Sequence, residues 1–200
     1  MTDRTIYQRR IQDRSMIHFI AGLYPRFLKY LKFSVNRYIA RLKGADIGSD
    51  VLIPFSLACK ANPNLSIGNN VSIDTNKIDL RIPIQIGNNV IIGANVEIIT
   101  CSHNIDSEEW EYKTYGLKIE DFAWLSTNAL ILPSCRKIGV GAVIGAGSVV
   151  VKNVEGKSVV AGNPAEHLKW RKNVHSKIIV ESLLGGDLIK YIQVRLAKKN

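Results

Sequence analysis

The stretch Ile86-Gly87-Asn88-Asn89-Val90-Ile91-Ile92-Gly93-Ala94-Asn95-Val96 places an aliphatic residue, followed by a small one, at every sixth position. The spacing of six continues well beyond this stretch. Aliphatic residues fall at the same repeat position in Ile47, Ile67, Ile73, Ile86, Ile92, Ile98, Ile119, Leu125, Ile131, Ile138, Ile144 and Val150. A helix would need apolar residues spaced by three and four, so this periodicity argues against one.

A period of six predicts a short strand followed by a corner, with three such units completing one triangular coil. Each aliphatic residue would point inward and stack on its equivalent one coil later, while Gly, Asn or Asp permits a corner with positive φ. A single coil cannot bury its own apolar column, so the coils must stack. The sequence therefore predicts a mainly β fold, a left-handed parallel β-helix of about five coils between residues 46 and 155, with one-residue slips near Asp79 and Lys137.

Helical segments are predicted at both ends. Between Pro25 and Gly44 the apolar residues have amphipathic helical spacing, with Pro25 suited to a helix start and Gly44 to a stop. A second helix is predicted within Lys177 to Leu196. The expected organisation is a basic helical region at 1–45, the β-helix at 46–165 with a loop insertion at 104–118, and a helical extension at 166–200.

The chain has 200 residues and a formal net charge of +10, but this charge is unevenly distributed. Residues 1–44 contain ten basic and two acidic side chains, residues 165–200 contain eight and three, and the middle contains nine and twelve. The β-helix is therefore slightly acidic between two basic ends. The 46% apolar content argues against general disorder.

Two interpretations of the N-terminal helix stay open. It can cap the open end of the β-helix, or it can lie on an anionic membrane surface through residues 1–44. Nucleic acid is not expected, since no recognition module is found. No apolar run approaches the roughly 18 residues that span a bilayer, and Cys59, Cys101 and Cys135 have no metal or disulfide spacing. These features predict a cytoplasmic protein, peripheral at the inner membrane face in the second interpretation.

The repeat resembles the hexapeptide-repeat acyltransferase family over roughly residues 46–171. Two passages carry the resemblance further. Thr100 to Pro133 is similar to the family's catalytic-histidine loop and the tryptophan coil after it, and Val160-Ala161-Gly162-Asn163-Pro164-Ala165 is similar to its closing signature. Among family members, the sequence is most similar to the sugar O-acetyltransferases. The resemblance implies acetyl-CoA as the donor, held between neighbouring subunits of a homotrimer.

His103 is the candidate catalytic residue. It is the only histidine inside the coil region, and the period breaks for the fifteen polar and aromatic residues that follow it. Loops on a rigid scaffold often carry function, and an imidazole suits a general base that deprotonates an attacking hydroxyl. A covalent route through Cys101 is the disfavoured alternative.

The remaining candidates come from the resemblance. It implies that the donor is bound by Trp124, Thr127, Ala146, Gly147, Lys152, Asn163 and Pro164. Asp74 and Asn104 are candidate contacts of the acceptor. Ser126 stands where the family usually has Gly, which affects the details of the donor groove. A zinc enzyme on this fold needs three histidines per site, and His18, His167 and His175 lie outside the coils, so no metal is expected.

The function expected from these features is O-acetylation of a saccharide hydroxyl in surface polysaccharide biosynthesis, the acceptor being a saccharide or a lipid-linked oligosaccharide. The alternatives are acetylation of a small soluble acceptor (free sugar, serine or antibiotic), N-acylation of an amino sugar, and a non-catalytic scaffold.

Overall fold

The computed structural model describes residues 6–174 and 187–197. These residues contain four helices: α1 Ile6–Gln12, α2 Met16–Leu42, α3 Phe55–Lys60 and α4 Leu188–Leu196. Among the described residues, sixteen strands lie between Asp46 and Trp170. They are β1 Asp46–Ile47, β2 Leu65–Ile67, β3 Ser72–Ile73, β4 Ile84–Ile86, β5 Ile91–Ile92, β6 Glu97–Ile98, β7 Cys101–His103, β8 Tyr112–Thr114, β9 Leu117–Ile119, β10 Trp124–Leu125, β11 Leu130–Ile131, β12 Lys137–Ile138, β13 Val143–Ile144, β14 Val149–Val150, β15 Ser158–Gly162 and β16 Ala165–Trp170.

Fourteen of these strands form three sheets. Sheet A has the order β1-β2-β4-β9-β12, sheet B has β16-β15-β13-β10-β5-β3, and sheet C has β14-β11-β6. Apart from β15 and β16, every neighbouring pair in the three sheets is parallel. The chain enters A, B and C in turn, so each passage is one three-sided coil stacked on the previous one.

The strand register agrees with the predicted repeat. Ile86 pairs with Ile119 across the insertion, and Ile119 pairs with Ile138. Their side chains and those of equivalent residues on the other sheets form one buried apolar cluster along the axis of the stack. Because each aliphatic side chain lies above its equivalent in the next coil, the core is continuous, although each strand has only a few residues.

The contacts at one corner of the stack explain why the Ile-Gly-Asn-Asn-Val motif has these residues. The side-chain oxygen of Asn88 accepts a hydrogen bond from the backbone N–H of Asn69 (2.8 Å), and that of Asp121 accepts one from the N–H of Asn88 (2.7 Å). Asn89 has φ +56°, a left-handed conformation that asparagine tolerates better than most residues. A Cβ on Gly68 would lie 2.9 Å from the Gly87 carbonyl oxygen, so only glycine fits between the stacked corners.

Helix α2 packs one face on the first coils. The buried Asn36 side chain donates to the Ile53 carbonyl (2.7 Å), and Arg41 donates to the Ile47 carbonyl (2.6 Å). The prediction that the helix starts at Pro25 is wrong, because α2 begins at Met16 and Ser15 caps it. Proline removes one helical hydrogen bond. Phe19 and Leu23, in the turns before Pro25, pack against α4, and the later turns bond to the first coils, so the helix is held on both sides of the proline.

The C-terminal region differs from the prediction at its start. The helical extension was expected from residue 166, but Ala165–Trp170 forms β16, which pairs antiparallel with β15. The pairing is possible because a turn at Asn163 and Pro164 reverses the chain at the edge of sheet B. Helix α4 covers the last part of the predicted Lys177–Leu196 helix, and its first part lies outside the described residues.

Helix α4 packs against α1 and α2. Tyr191 of α4 is fully buried, stacks on Phe19 with ring centroids 4.7 Å apart, and contacts the Arg26 guanidinium at 3.9 Å. Arg26 also forms an ion pair with Asp187 (3.0 Å). Among the described residues, no helix is both long and apolar enough to cross a membrane.

Candidate active site

The predicted insertion begins with a hairpin that carries His103. Strands β7 and β8 pair antiparallel, with His103 opposite Tyr112 and Cys101 opposite Thr114. The hairpin lies where the chain passes from sheet C to sheet A, after β6 and before β9. It therefore projects from one edge of the three-sided stack, as an outward loop on this scaffold must.

Two aromatic rings hold the His103 imidazole. Trp110 stacks on it with centroids 5.2 Å apart and an interplanar angle of 19°, and Tyr112 meets it edge-on at 4.4 Å. The Trp110 carbonyl oxygen accepts a hydrogen bond from His103 Nδ1 (2.8 Å). A carbonyl oxygen can only accept, so Nδ1 carries the hydrogen in a neutral ring and Nε2 keeps its lone pair. The arrangement leaves Nε2 able to take a proton from a bound hydroxyl.

A polar network outside the predicted set supports this hairpin. Arg81 donates to the Tyr112 hydroxyl (2.8 Å) and to both carboxylate oxygens of Asp79 (2.8 and 2.9 Å). Asp79 also accepts from the Thr100 hydroxyl (2.7 Å), just before β7. The Arg81 hydrogen bonds, joined by those from Thr100, outweigh desolvation and hold the pKa of Asp79 well below its usual range. The hairpin is thus tied through Tyr112 to the preceding coil.

Sequence reasoning missed Asp79, Arg81 and Tyr112 as parts of the site. The aromatic content of the insertion was a usable signal for Tyr112. No feature of the sequence indicated Asp79 and Arg81, because charged residues near a slip in the repeat look like ordinary corner residues.

The two candidate acceptor residues have different positions. Asn104 follows His103, and its side-chain oxygen accepts from Lys113 Nζ (2.9 Å), so it braces the hairpin beside the imidazole. Asp74 is exposed and follows β3, at the turn between sheets B and C. The structure therefore brings Asn104 to His103 and does not bring Asp74 there.

Four donor candidates share the region between sheets B and C. Trp124 is 45% exposed on β10, and Thr127 follows it in the turn toward β11. Ala146 and Gly147 occupy the equivalent turn of the next coil, where the Gly147 N–H donates to the Thr127 carbonyl (3.0 Å). Gly147 has φ +67°, and a Cβ there would meet nothing within 4 Å. The turns thus form an exposed shelf with small side chains, which fits the close approach of an extended pantetheine arm.

The other donor candidates lie near the end of the stack. Asn163 and Pro164 form the exposed turn between β15 and β16, joined by a cis peptide bond. Lys152 Nζ lies 3.3 Å from Glu166 Oε2, and both side chains are well exposed. A phosphate bound by Lys152 would have to compete with this carboxylate.

His103 and the shelf formed by the Thr127 and Ala146 turns, here called the donor shelf, lie at different edges of one chain. The hairpin lies between sheets C and A, whereas the Thr127 and Ala146 turns lie between sheets B and C. Because a full sheet face separates these edges, the structure does not unite the two sets of residues within one chain. Among the described residues, no three His, Cys, Asp or Glu side chains are grouped to hold a metal ion.

The fold is a three-sided stack of six-residue units that carries a histidine hairpin. Comparison with known proteins identifies the class of protein that has this fold. No known protein-family model matches the chain. The protein WcaF of Escherichia coli, provisionally named a colanic acid biosynthesis acetyltransferase, is 32% identical over 136 residues, covering 67% of this chain and 74% of WcaF. A galactoside O-acetyltransferase of Escherichia coli is 28% identical over 129 residues, covering 62% and 63%.

A Schizosaccharomyces pombe protein, provisionally named an acetyltransferase, is 34% identical over 102 residues, and the match spans only 47% of its length. The crystal structure of a hexapeptide-repeat acetyltransferase from Vibrio cholerae superposes with a TM-score of 0.58 and 23% identity, covering 83% of this chain and 99% of that one. The same protein complexed with acetyl coenzyme A gives a TM-score of 0.53 and 25% identity, covering 80% and 93%. The chain belongs to the hexapeptide-repeat acetyltransferases, which confirms the predicted family and the predicted acyltransferase class.

Proposed function

We propose that this protein is an acetyl-CoA-dependent O-acetyltransferase that acetylates a saccharide hydroxyl, with His103 as the general base. The observation that carries the proposal is the hydrogen bond from His103 Nδ1 to the Trp110 carbonyl, which leaves Nε2 free to accept a proton. The stacked Trp110 ring restricts rotation of the imidazole, so Nε2 points in one direction without reorganisation during the reaction.

The chemistry needs one proton carrier. Acetyl-CoA supplies a thioester whose carbonyl carbon is attacked by the acceptor hydroxyl. His103 Nε2 takes the hydroxyl proton as the new C–O bond forms, and the imidazolium then returns a proton to the departing sulfur when the C–S bond breaks. The products are an O-acetyl ester and the free thiol. No acyl-enzyme is formed, so Cys101 has no part in the step.

The assembly proposed is a homotrimer with the donor between subunits. It is supported by the separation of the His103 hairpin from the Ala146 shelf within one chain. A cyclic trimer brings two different surfaces together at each interface, so the hairpin of one subunit can face the shelf of the next. We propose left-handed coils, about five in number, as in the family.

The acceptor proposed is a sugar of a surface polysaccharide or its lipid-linked precursor. It is supported by the exposed Trp110 (55%) and Tyr112 (59%) beside His103, because aromatic faces offer apolar contact to one side of a sugar ring. The relatives named for galactoside and colanic acid acetylation agree with this class. The proposed location is the cytoplasm or the inner face of the membrane.

The experiment compares the purified protein with His103→Asn and His103→Ala variants in an assay of thiol release from acetyl-CoA with simple glycosides and oligosaccharides. Asparagine can still donate to the Trp110 carbonyl but offers no base at the Nε2 position. Loss of general-base catalysis should lower the rate by about 10²- to 10⁴-fold in both variants. A product cleaved by mild base identifies O-transfer, whereas a stable amide would indicate an amino-sugar acceptor. Unchanged rates in both variants would reject the role of His103.

A further inference from the structure

Helix α2 presents a long apolar stripe to solvent on the side away from the β-helix. Ten residues, here called the outer stripe, are each at least 45% exposed: Met16, Ile17, Ile20, Tyr24, Phe27, Leu28, Leu31, Val35, Tyr38 and Leu42. At 1.5 Å per residue the helix is about 40 Å long. Monomeric soluble proteins rarely expose a contiguous apolar surface of this extent, and such surfaces mark interaction sites.

The outer stripe is separate from the surface that caps the β-helix. The buried residues of α2 are Phe33, Asn36 and Ala40, which lie on the opposite side of the helix. Tyr24, Leu31 and Tyr38 recur at intervals of seven, as do Leu28, Val35 and Leu42, so the stripe runs almost parallel to the helix axis. One face of α2 therefore accounts for its role as a cap and leaves the other face unexplained.

The charge on α2 indicates the kind of partner. The helix contains five basic residues and no acidic residue. Arg37 and Arg41 are directed inward, donating to the Val51 and Ile47 carbonyls. Lys32 is exposed and lies one turn from Leu28 and from Val35, at the border of the outer stripe, whereas Lys29 lies one turn before the buried Phe33, on the other side of the helix. Lysines in this position can keep their charge at a polar boundary while their stems cover apolar surface.

A second copy of the helix fits this pattern poorly. Two outer stripes packed together would bring basic helices side by side, with no acidic residue on either α2 to pair with them. An anionic lipid surface offers both a negatively charged headgroup layer for Lys32 and the basic helix as a whole, and an apolar layer for the stripe. The middle of the chain has a slight excess of acidic residues. An anionic membrane surface would therefore repel the coils while it attracts α2.

We propose that the outer stripe of α2 docks on an anionic lipid bilayer, with the helix lying in the plane of the membrane surface. The docking is peripheral and holds the β-helix beside the bilayer. It requires no change in the packing of α2 on the coils, because a different face of the helix is used.

The experiment is co-sedimentation of the full chain with phosphatidylcholine vesicles that contain or lack phosphatidylglycerol. The stripe variant is Tyr24→Ser, Leu28→Gln and Leu31→Gln, which changes only exposed side chains. The charge variant is Lys32→Gln. The matched control is Leu168→Gln, which removes an apolar side chain that is 64% exposed on β16.

The proposal expects the chain and the control to bind vesicles containing phosphatidylglycerol, the stripe variant to bind at least about tenfold more weakly, and added salt or the charge variant to weaken binding. Equal binding of the stripe variant and the control would overturn it. So would a stripe variant that changes the oligomeric state in analytical ultracentrifugation, since the stripe would then be an interface between copies. A fall of its melting temperature by more than about 5 °C would also overturn it, because the stripe would then be covered within the chain.

Discussion

The separation of His103 from the donor shelf predicts that two inactive variants restore activity when they assemble together. His103→Asn removes the base and leaves the shelf intact. Ala146→Trp places a large side chain on the shelf and leaves the hairpin intact. Ala146 is exposed, so the indole can project outward and the variant should fold. Each variant alone should lose at least about 10²-fold in rate.

The size of the recovery follows from the geometry. If each site takes its hairpin from one subunit and its shelf from the next, a functional site in a mixed trimer needs an Ala146→Trp chain followed by a His103→Asn chain. Every cyclic trimer that contains both variants has one such interface among its three, so oligomers purified through both variants should reach roughly a third of the wild-type rate.

The assay is co-expression of the two variants with different affinity tags, purification through both tags, and measurement of thiol release with the preferred acceptor. A matched control co-expresses His103→Asn with wild type under the same tags. Doubly tagged oligomers that stay as inactive as each variant alone would refute the reasoning, because the hairpin and the shelf would then belong to one chain's site.

Three further predictions concern stability and reactivity. Leu125→Ala, at a fully buried position in the centre of sheet B, should lower the free energy of unfolding by about 2–5 kcal/mol in urea denaturation, whereas Leu168→Ala at an exposed position should change it by less than about 0.5 kcal/mol. The pKa of Asp79 is lowered in the folded state, so its stabilisation is present above the ordinary carboxyl pKa and is lost as the pH falls below about 4; Asp79→Asn should therefore flatten the acid side of the curve of stability against pH, and an unchanged slope would contradict this. Burial raises the pKa of the Cys135 thiol to about 11, so iodoacetamide at pH near 8 should modify the exposed Cys59 and spare Cys135, as peptide mass mapping would reveal.

Much of the fold could be predicted because the six-residue spacing of aliphatic residues along the chain identifies the side chains that stack on one another. The register of Ile86, Ile119 and Ile138 was readable from a period of six, since each strand repeats the same environment one coil later. The predicted start of α2 was wrong because Pro25 resembles a helix start as long as the contacts of the preceding turns are unknown. The strand at Ala165–Trp170 was missed because only its partner β15 makes those residues extended.

The candidate site was predictable only in part. His103 could be chosen from sequence since it precedes the one long break in the repeat. Its hydrogen bond to the Trp110 carbonyl depends on the path of the hairpin, which no spacing reveals. The link from Asp79 through Arg81 to Tyr112 joins residues more than thirty positions apart, and only the stacking of the coils brings them together.

The sequence by itself determined the repeat, the inward aliphatic column, the place of the insertion and the basic character of both ends. These are properties of neighbouring residues, and the same short pattern imposes them in every coil. Only the tertiary structure decided that His103 and the Ala146 shelf occupy different edges, and that α2 buries one face and exposes the other. Which edge of the stack a residue occupies depends on how the chain winds around the axis of the coils. Which face of α2 is buried depends on how the helix packs against those coils.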